Sequence, residues 1–149
     1  MGRHLIVCRV CRQQLSPPVR LLPEVPERTL AADHRTTVPP TVQPGEYAVD
    51  PYPLGATDGR VDEGNPGCLV LHPDDARELT VHPDPERSVG CCGEDGLAGP
   101  NPCCPRCSAA VATLVNDCWT VHEVRFEPAA VIVGPVEDLT RPGSRTWLS

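Results

Sequence analysis

Short apolar runs, bounded by proline, glycine or charged residues, dominate the hydrophobic pattern of this chain. Runs of this length predict β-strands rather than amphipathic helices. The predicted strands and strand candidates are residues 3–10, 46–50, 68–71, 119–127 and 129–133, and residues 109–115 form a further apolar run. Residues 73–79 predict one or two helical turns, because proline stands first and acids follow it. The pattern therefore predicts a small α+β fold that leans to β structure, is rich in loops and has little helix.

Proline divides the chain into these short segments. There are 19 prolines and 12 glycines in 149 residues, and they predict proline-rich loops at 12–46 and 51–67. Val19, Leu21 and Leu22 are candidates for an edge pairing within the first loop. We expect one domain over residues 1–140 and a polar tail over 141–149. Two Trp, two Tyr and one Phe can fill only a thin core.

The nine cysteines are expected to supply the stability that so thin a core lacks. Cys8 and Cys11 form one Cys-x-x-Cys pair, and Cys104 and Cys107 form another. Each pair is typical of a knuckle, a tight turn that aims two thiolates at one ion, and Zn²⁺ takes four such ligands in a tetrahedron. The long separation is physically acceptable, because the cost of loop closure grows only with the logarithm of length. The sequence thus predicts a structural zinc site, in a zinc-knuckle or zinc-ribbon-like domain.

Other cysteine sets remain open at this point. A local site would use Cys92, Cys104, Cys107 and Cys118, so Cys91, Cys92 and Cys118 are second-tier metal ligands. A redox sensor or oxidoreductase would use Cys91/Cys92 or Cys8/Cys11. The prolines that soon follow Cys11 argue against the long helix that lowers a thioredoxin-type thiol pKa. Cys68 and Cys103 are expected to be simple buried thiols.

Charge and missing motifs narrow the function classes. The net charge is −7, all 13 basic residues are arginine and they are scattered, so nucleic-acid binding is disfavoured. Without lysine, no Schiff-base or Walker-type chemistry is available.

The two His-Pro-Asp tripeptides at His72 and His82 predict turns or helix starts; the alternative is a second metal site with Cys68 and Cys91. No apolar stretch is long enough for a signal peptide or membrane helix. We therefore expect a cytoplasmic protein with reduced thiols and no membrane contact.

Several segments together resemble a known family. They are residues 88–101, Cys104-Pro-Arg-Cys107, residues 111–113 and 117–119, the opening Cys8-x-x-Cys11 with Leu15, and residues 44–51. This combination resembles a family of small cysteine-rich, zinc-ribbon-like proteins of high-GC actinobacteria, over most of residues 5–133. The resemblance implies no activity; it implies that the cysteine pairs belong to one set. Ser108 departs from the pattern, since glycine often closes such a knuckle.

The function these observations predict is a non-catalytic module, stabilised by Zn²⁺, that binds another protein. Four observations favour this prediction: the thin core, the paired knuckles, the net negative charge and the lack of catalytic motifs. A thiol redox protein is the alternative.

Overall fold

The computed structural model describes residues 2–28, 38–52, 66–76, 78–87, 100–116 and 121–140. The strands are β1 (His4–Cys8), β2 (Arg20–Leu21), β3 (Glu46–Asp50), β4 (Cys68–Leu71), β5 (Ala112–Val115), β6 (Glu123–Phe126) and β7 (Val131–Pro135). Helical structure in these residues consists of 3-10 helices at Pro73–Ala76 and Pro85–Arg87 and of α1 (Val136–Thr140). The predicted fold class, small, β-leaning and loop-rich, is confirmed.

Five strands form the larger sheet, in the order β2-β3-β4-β6-β5. Only β2 is parallel to its neighbour, and the other pairs are antiparallel. Leu69 of β4 lies opposite Phe126 of β6, and Phe126 lies opposite Ala112 of β5. Because side chains alternate along a strand, these residues share one face. That face belongs to the main hydrophobic core.

The smaller sheet joins the first strand of the chain to the last. β1 and β7 are antiparallel, with His4 opposite Pro135 and Cys8 opposite Val131. The other edge of β1 bonds to the loop that follows it, where the amide of Leu15 donates to Ile6 O and that of Val19 donates to His4 O. β1 is thus buried between two partners, and it ends at Cys8, where the first knuckle begins.

The strand predictions at 46–50 and 68–71 match β3 and β4. The apolar run at 109–115 contains β5 over Ala112–Val115. Of the candidate at 119–127, the described residues 121–127 form a strand over Glu123–Phe126. The last strand runs on to Pro135 and leads directly into α1, which the pattern did not predict.

The predicted loop at 12–46 contains the short edge strand β2, where Arg20 and Leu21 pair beside β3. The predicted turns at 73–79 are a 3-10 helix. Most of the loop at 51–67 and all of the tail at 141–149 lie outside the described residues, so the domain boundaries stay a prediction. Within the described residues, no helix has the length and apolar character needed to cross a membrane.

Candidate metal centre

The first knuckle is a tight turn at the end of β1. The amide of Arg12 donates to Cys8 O at 2.9 Å, and the amide of Cys8 donates to Gln13 O at 2.8 Å. Backbone N–H groups of Cys11 and Val10 donate to the Cys8 sulfur, and that of Gln13 donates to the Cys11 sulfur. The turn thus aims both sulfur atoms to one side while its amides support them.

The second knuckle repeats this geometry. The amide of Ser108 donates to Cys104 O at 3.0 Å, and the amide of Cys104 donates to Ala109 O at 2.8 Å. Arg106 N lies 3.4 Å from Cys104 Sγ and donates to it, and the N–H of Ala109 donates to the Cys107 sulfur. The two turns therefore share both backbone bonds and the N–H support of their sulfur atoms, although little but the Cys-x-x-Cys spacing relates their sequences.

Both knuckles close through a left-handed residue directly after the second cysteine. Arg12 and Ser108 each have φ of 66°. Glycine adopts this conformation without steric cost, whereas other L-residues rarely do so. The departure at Ser108 therefore does not open the turn, and Arg12 is a second departure of the same kind. Two strained residues at equivalent positions indicate that the surrounding structure imposes the turn.

The four sulfur atoms converge on one point. Cys8 Sγ lies 3.6 Å from Cys107 Sγ, Cys11 Sγ lies 3.5 Å from Cys104 Sγ, and all four lie within 4.8 Å of one another. A Zn–S bond of about 2.3 Å gives a tetrahedron with edges of about 3.8 Å. A disulfide would need about 2.0 Å, and all six described cysteines are free thiols. The arrangement fits one tetrahedral metal ion.

The protein alone disfavours the charged form of two of these thiols. Burial raises the pKa of Cys8, and burial raises the pKa of Cys11 to about 12. At Cys107, by contrast, the N–H of Ala109 is the main cause of a lowered pKa. Thiolates are the metal-binding form, so a cation among them has to supply the missing stabilisation. The donor chemistry thus also fits a metal ion.

Among the described residues, Cys8, Cys11, Cys104 and Cys107 are the one cluster able to hold a metal ion. Cys91, Cys92 and Cys118 lie outside the described residues, so the local site cannot be compared with this cluster directly. Cys103 is buried, and its thiol donates to Asn101 O.

The histidine tripeptides form turns, as expected. His72 Nδ1 accepts from the amide of Asp74 at 3.0 Å, and His82 Nδ1 accepts from the amide of Asp84 at 3.0 Å. Each imidazole therefore caps the start of its own turn. In the described residues, neither histidine joins Cys68 in a metal-binding cluster.

Sequence reasoning missed a buried set of charges on the opposite face of the larger sheet. We call Arg28, Asp50, Glu123 and Arg125 the charge cluster. Arg125 Nη1 donates to Asp50 Oδ2 and to Glu123 Oε2, both at 2.8 Å. Arg28 Nε donates to Glu123 Oε1 at 2.7 Å, and Thr41 donates to the same oxygen at 2.6 Å. Two cations and two anions thus balance within the protein.

The arginines keep both carboxylates ionised. Burial alone would raise the pKa of each, but hydrogen bonds and charge from Arg125 and Arg28 lower the pKa of Asp50 and of Glu123 below their usual values. The signal was the alternation Glu123-Val-Arg125-Phe in β6. This alternation predicts a strand, but it does not show that the face with the charges is buried as well.

Compared with known proteins, the chain matches no family model, no curated protein and no solved structure. The chemistry of the site is therefore argued from its own geometry.

Proposed function

We propose that Cys8, Cys11, Cys104 and Cys107 bind one structural Zn²⁺ that fastens the first strand of the chain to its last third. The observation that carries this proposal is the approach of sulfur atoms from different knuckles, at 3.5 and 3.6 Å. Four thiolates at tetrahedral spacing are the donor set of structural zinc sites, and Zn²⁺ has no need of redox chemistry there.

A structural role follows from the ligand count. Catalytic zinc keeps one coordination position for water or substrate, whereas four cysteines occupy all positions. We therefore propose a non-catalytic module that binds another protein, in a cytoplasm that keeps its thiols reduced. Membership in the actinobacterial cysteine-rich family is part of this proposal, and it rests on the sequence segments given above.

The metal content of two neighbouring cysteine variants tests the zinc proposal. Protein purified under reducing conditions is expected to contain one zinc per chain by elemental analysis. Cys104→Ser removes a ligand and is expected to lose the metal. Cys103→Ser, one residue earlier, changes an equally buried thiol outside the cluster and is expected to keep it.

Two further measurements decide between the alternatives. Loss of zinc in Cys118→Ser with retention in Cys8→Ser would establish the local site instead. Wild-type protein without zinc, with thiols that form a reversible disulfide under mild oxidation, would overturn the proposal in favour of a redox protein. Zinc-bound thiolates are expected to react slowly in the same thiol titration.

A further inference from the structure

A groove of 630 Å³ lies beside the first knuckle and along β7. We call it the knuckle groove. Its lining is mainly apolar but includes two arginines and one acid: Arg9, Arg12, Leu69, Pro128, Val131, Ile132, Val133, Gly134, Pro135, Asp138 and Leu139. Val133 keeps 38% of its surface exposed. The groove therefore presents apolar contact area next to positive charge.

Hydrogen bonds hold the Arg9 side chain in place without neutralising its charge. Its Nε donates to Ala129 O at 3.1 Å and its Nη2 donates to Val131 O at 2.9 Å. These acceptors are neutral carbonyls, and no carboxylate in the described residues forms an ion pair with Arg9. Arg12 is tied to it, because Arg12 Nη1 donates to Arg9 O at 2.8 Å. The groove thus holds an ordered positive charge.

The local charge is opposite to that of the whole chain. The net charge is −7, yet residues 8–13 and 104–109 contain arginine and no acid. The groove itself contains one acid, Asp138, against Arg9 and Arg12. An acidic partner would therefore be drawn to this one surface and repelled by the protein as a whole.

The edge of β7 offers little backbone for pairing with an added strand. Val131 O already accepts from Arg9, and Pro135 has no N–H to donate. Proline and charged side chains of this kind protect edge strands against unspecific pairing. Recognition in the groove would accordingly rest on side chains.

From these observations we propose that the knuckle groove binds an acidic polypeptide segment that carries apolar side chains. This inference rests on the proposed function as a protein-interaction module and names the chemistry of its partner. Its apolar side chains would contact Val133 and Leu139, and its carboxylates would face Arg9 and Arg12. Nucleic acid fits less well, because the described residues of the lining include no aromatic side chain for base stacking and two cations for phosphates.

The test measures binding of a fluorescein-labelled peptide of alternating Glu and Leu to the zinc-loaded full chain by fluorescence polarisation. Arg12→Gly removes one cation and at the same time relieves the left-handed φ at that position. We expect about fivefold weaker binding, the effect of losing about one solvent-exposed ion pair. Asp138→Asn removes the opposing charge and is expected to tighten binding about two- to threefold.

Ser108→Gly is the matched control, because it relieves the same backbone strain in the other knuckle without changing groove charge. It is expected to bind the peptide like wild type. Equal affinities of wild type and Arg12→Gly would overturn the inference, as would tighter binding of oligothymidylate than of the peptide. A wild-type dimer that blocks peptide binding would also overturn it, in favour of a second copy as occupant.

Zinc content, measured on the same samples, separates the two proposals. Zinc-loaded protein that does not bind the peptide would overturn the inference about the groove and leave the zinc site intact. Protein without zinc would overturn the proposed function itself.

Discussion

The cysteine cluster and the charge cluster perform the same task with different chemistry. Each joins parts of the chain that are far apart in sequence: Cys8 meets Cys107 across 99 residues, and Arg28 meets Glu123 across 95. The cysteines come from two short repeated turns, whereas the four charges come from three unrelated segments, with Glu123 and Arg125 both in β6. The comparison shows that long-range closure does not require a recognisable motif.

The two clusters also differ in what their removal costs. Metal–thiolate bonds add free energy to folding outright. A buried ion pair stabilises the fold little more than apolar packing does, but an unpaired buried charge destabilises it strongly. The cysteine cluster is therefore expected to supply stability, and the charge cluster to penalise any arrangement that separates its members.

Removing the metal is expected to have the largest effect. A cross-link that spans about 90 residues removes about 4–5 kcal/mol of unfolded-state entropy in the chain-entropy model. Treatment of the reduced protein with a zinc chelator should lower the free energy of unfolding in urea by about that amount or more. Added zinc should restore it. Cys8→Ser serves as the control, and a chelator effect of equal size in that variant would contradict the assignment of the ligands.

Breaking the charge cluster is expected to have the second-largest effect on the free energy of unfolding. Arg125→Met leaves Asp50 and Glu123 buried and, among the described residues, with Arg28 as the cation that pairs with both, and should cost about 3–5 kcal/mol in urea unfolding. The double variant Glu123→Gln, Arg125→Met leaves one cation with one anion. It should be less destabilised than the single variant. Additive losses would contradict the view that an unpaired charge is the cause.

The smallest expected effect on stability is that of acid, which acts on the charge cluster. The pKa values of Asp50 and Glu123 are lowered in the folded state from ordinary values of 3.8 and 4.5. The unfolded chain therefore takes up protons first, and stability falls as the pH drops below about 4.5 through the folded-state pKa values. Glu123→Gln should flatten this part of the profile. A slope unchanged from wild type would show that Glu123 contributes nothing to it.

The site was more predictable from the sequence than the fold was. Knuckles are local, so the spacing of Cys8 and Cys11 was enough to predict the turn. The prediction that two such turns approach each other is confirmed, and that they share an ion stays a prediction. Strand ends were less predictable: β1 was predicted to run to residue 10, but it ends at Cys8, where the knuckle begins. The helix α1 contains only five residues, and its start carries the signal that predicted the turns at 73–79, a proline followed by acids, here Pro135, Glu137 and Asp138; that signal was overlooked.

The charge cluster could not be predicted because its members are assembled by tertiary structure. Glu123 and Arg125 alternate with Val124 and Phe126, a pattern usually typical of a strand with one face in water. Here the second face is buried as well, and the partners Asp50 and Arg28 come from distant positions. Nothing in a single strand indicates which of its faces another segment will cover.

The distance between the two knuckles along the chain has a consequence during synthesis. Cys11 and its partner Cys104 are 93 residues apart, and β1 pairs only with β7 in the smaller sheet. At about 5–20 residues per second, the ribosome would take about 5–20 s to deliver the second pair of thiols. For that time the first knuckle is half a binding site, with two thiols exposed to any metal or oxidant in the cell. The order of synthesis thus leaves the first cysteine pair without its partner pair for several seconds in the nascent chain.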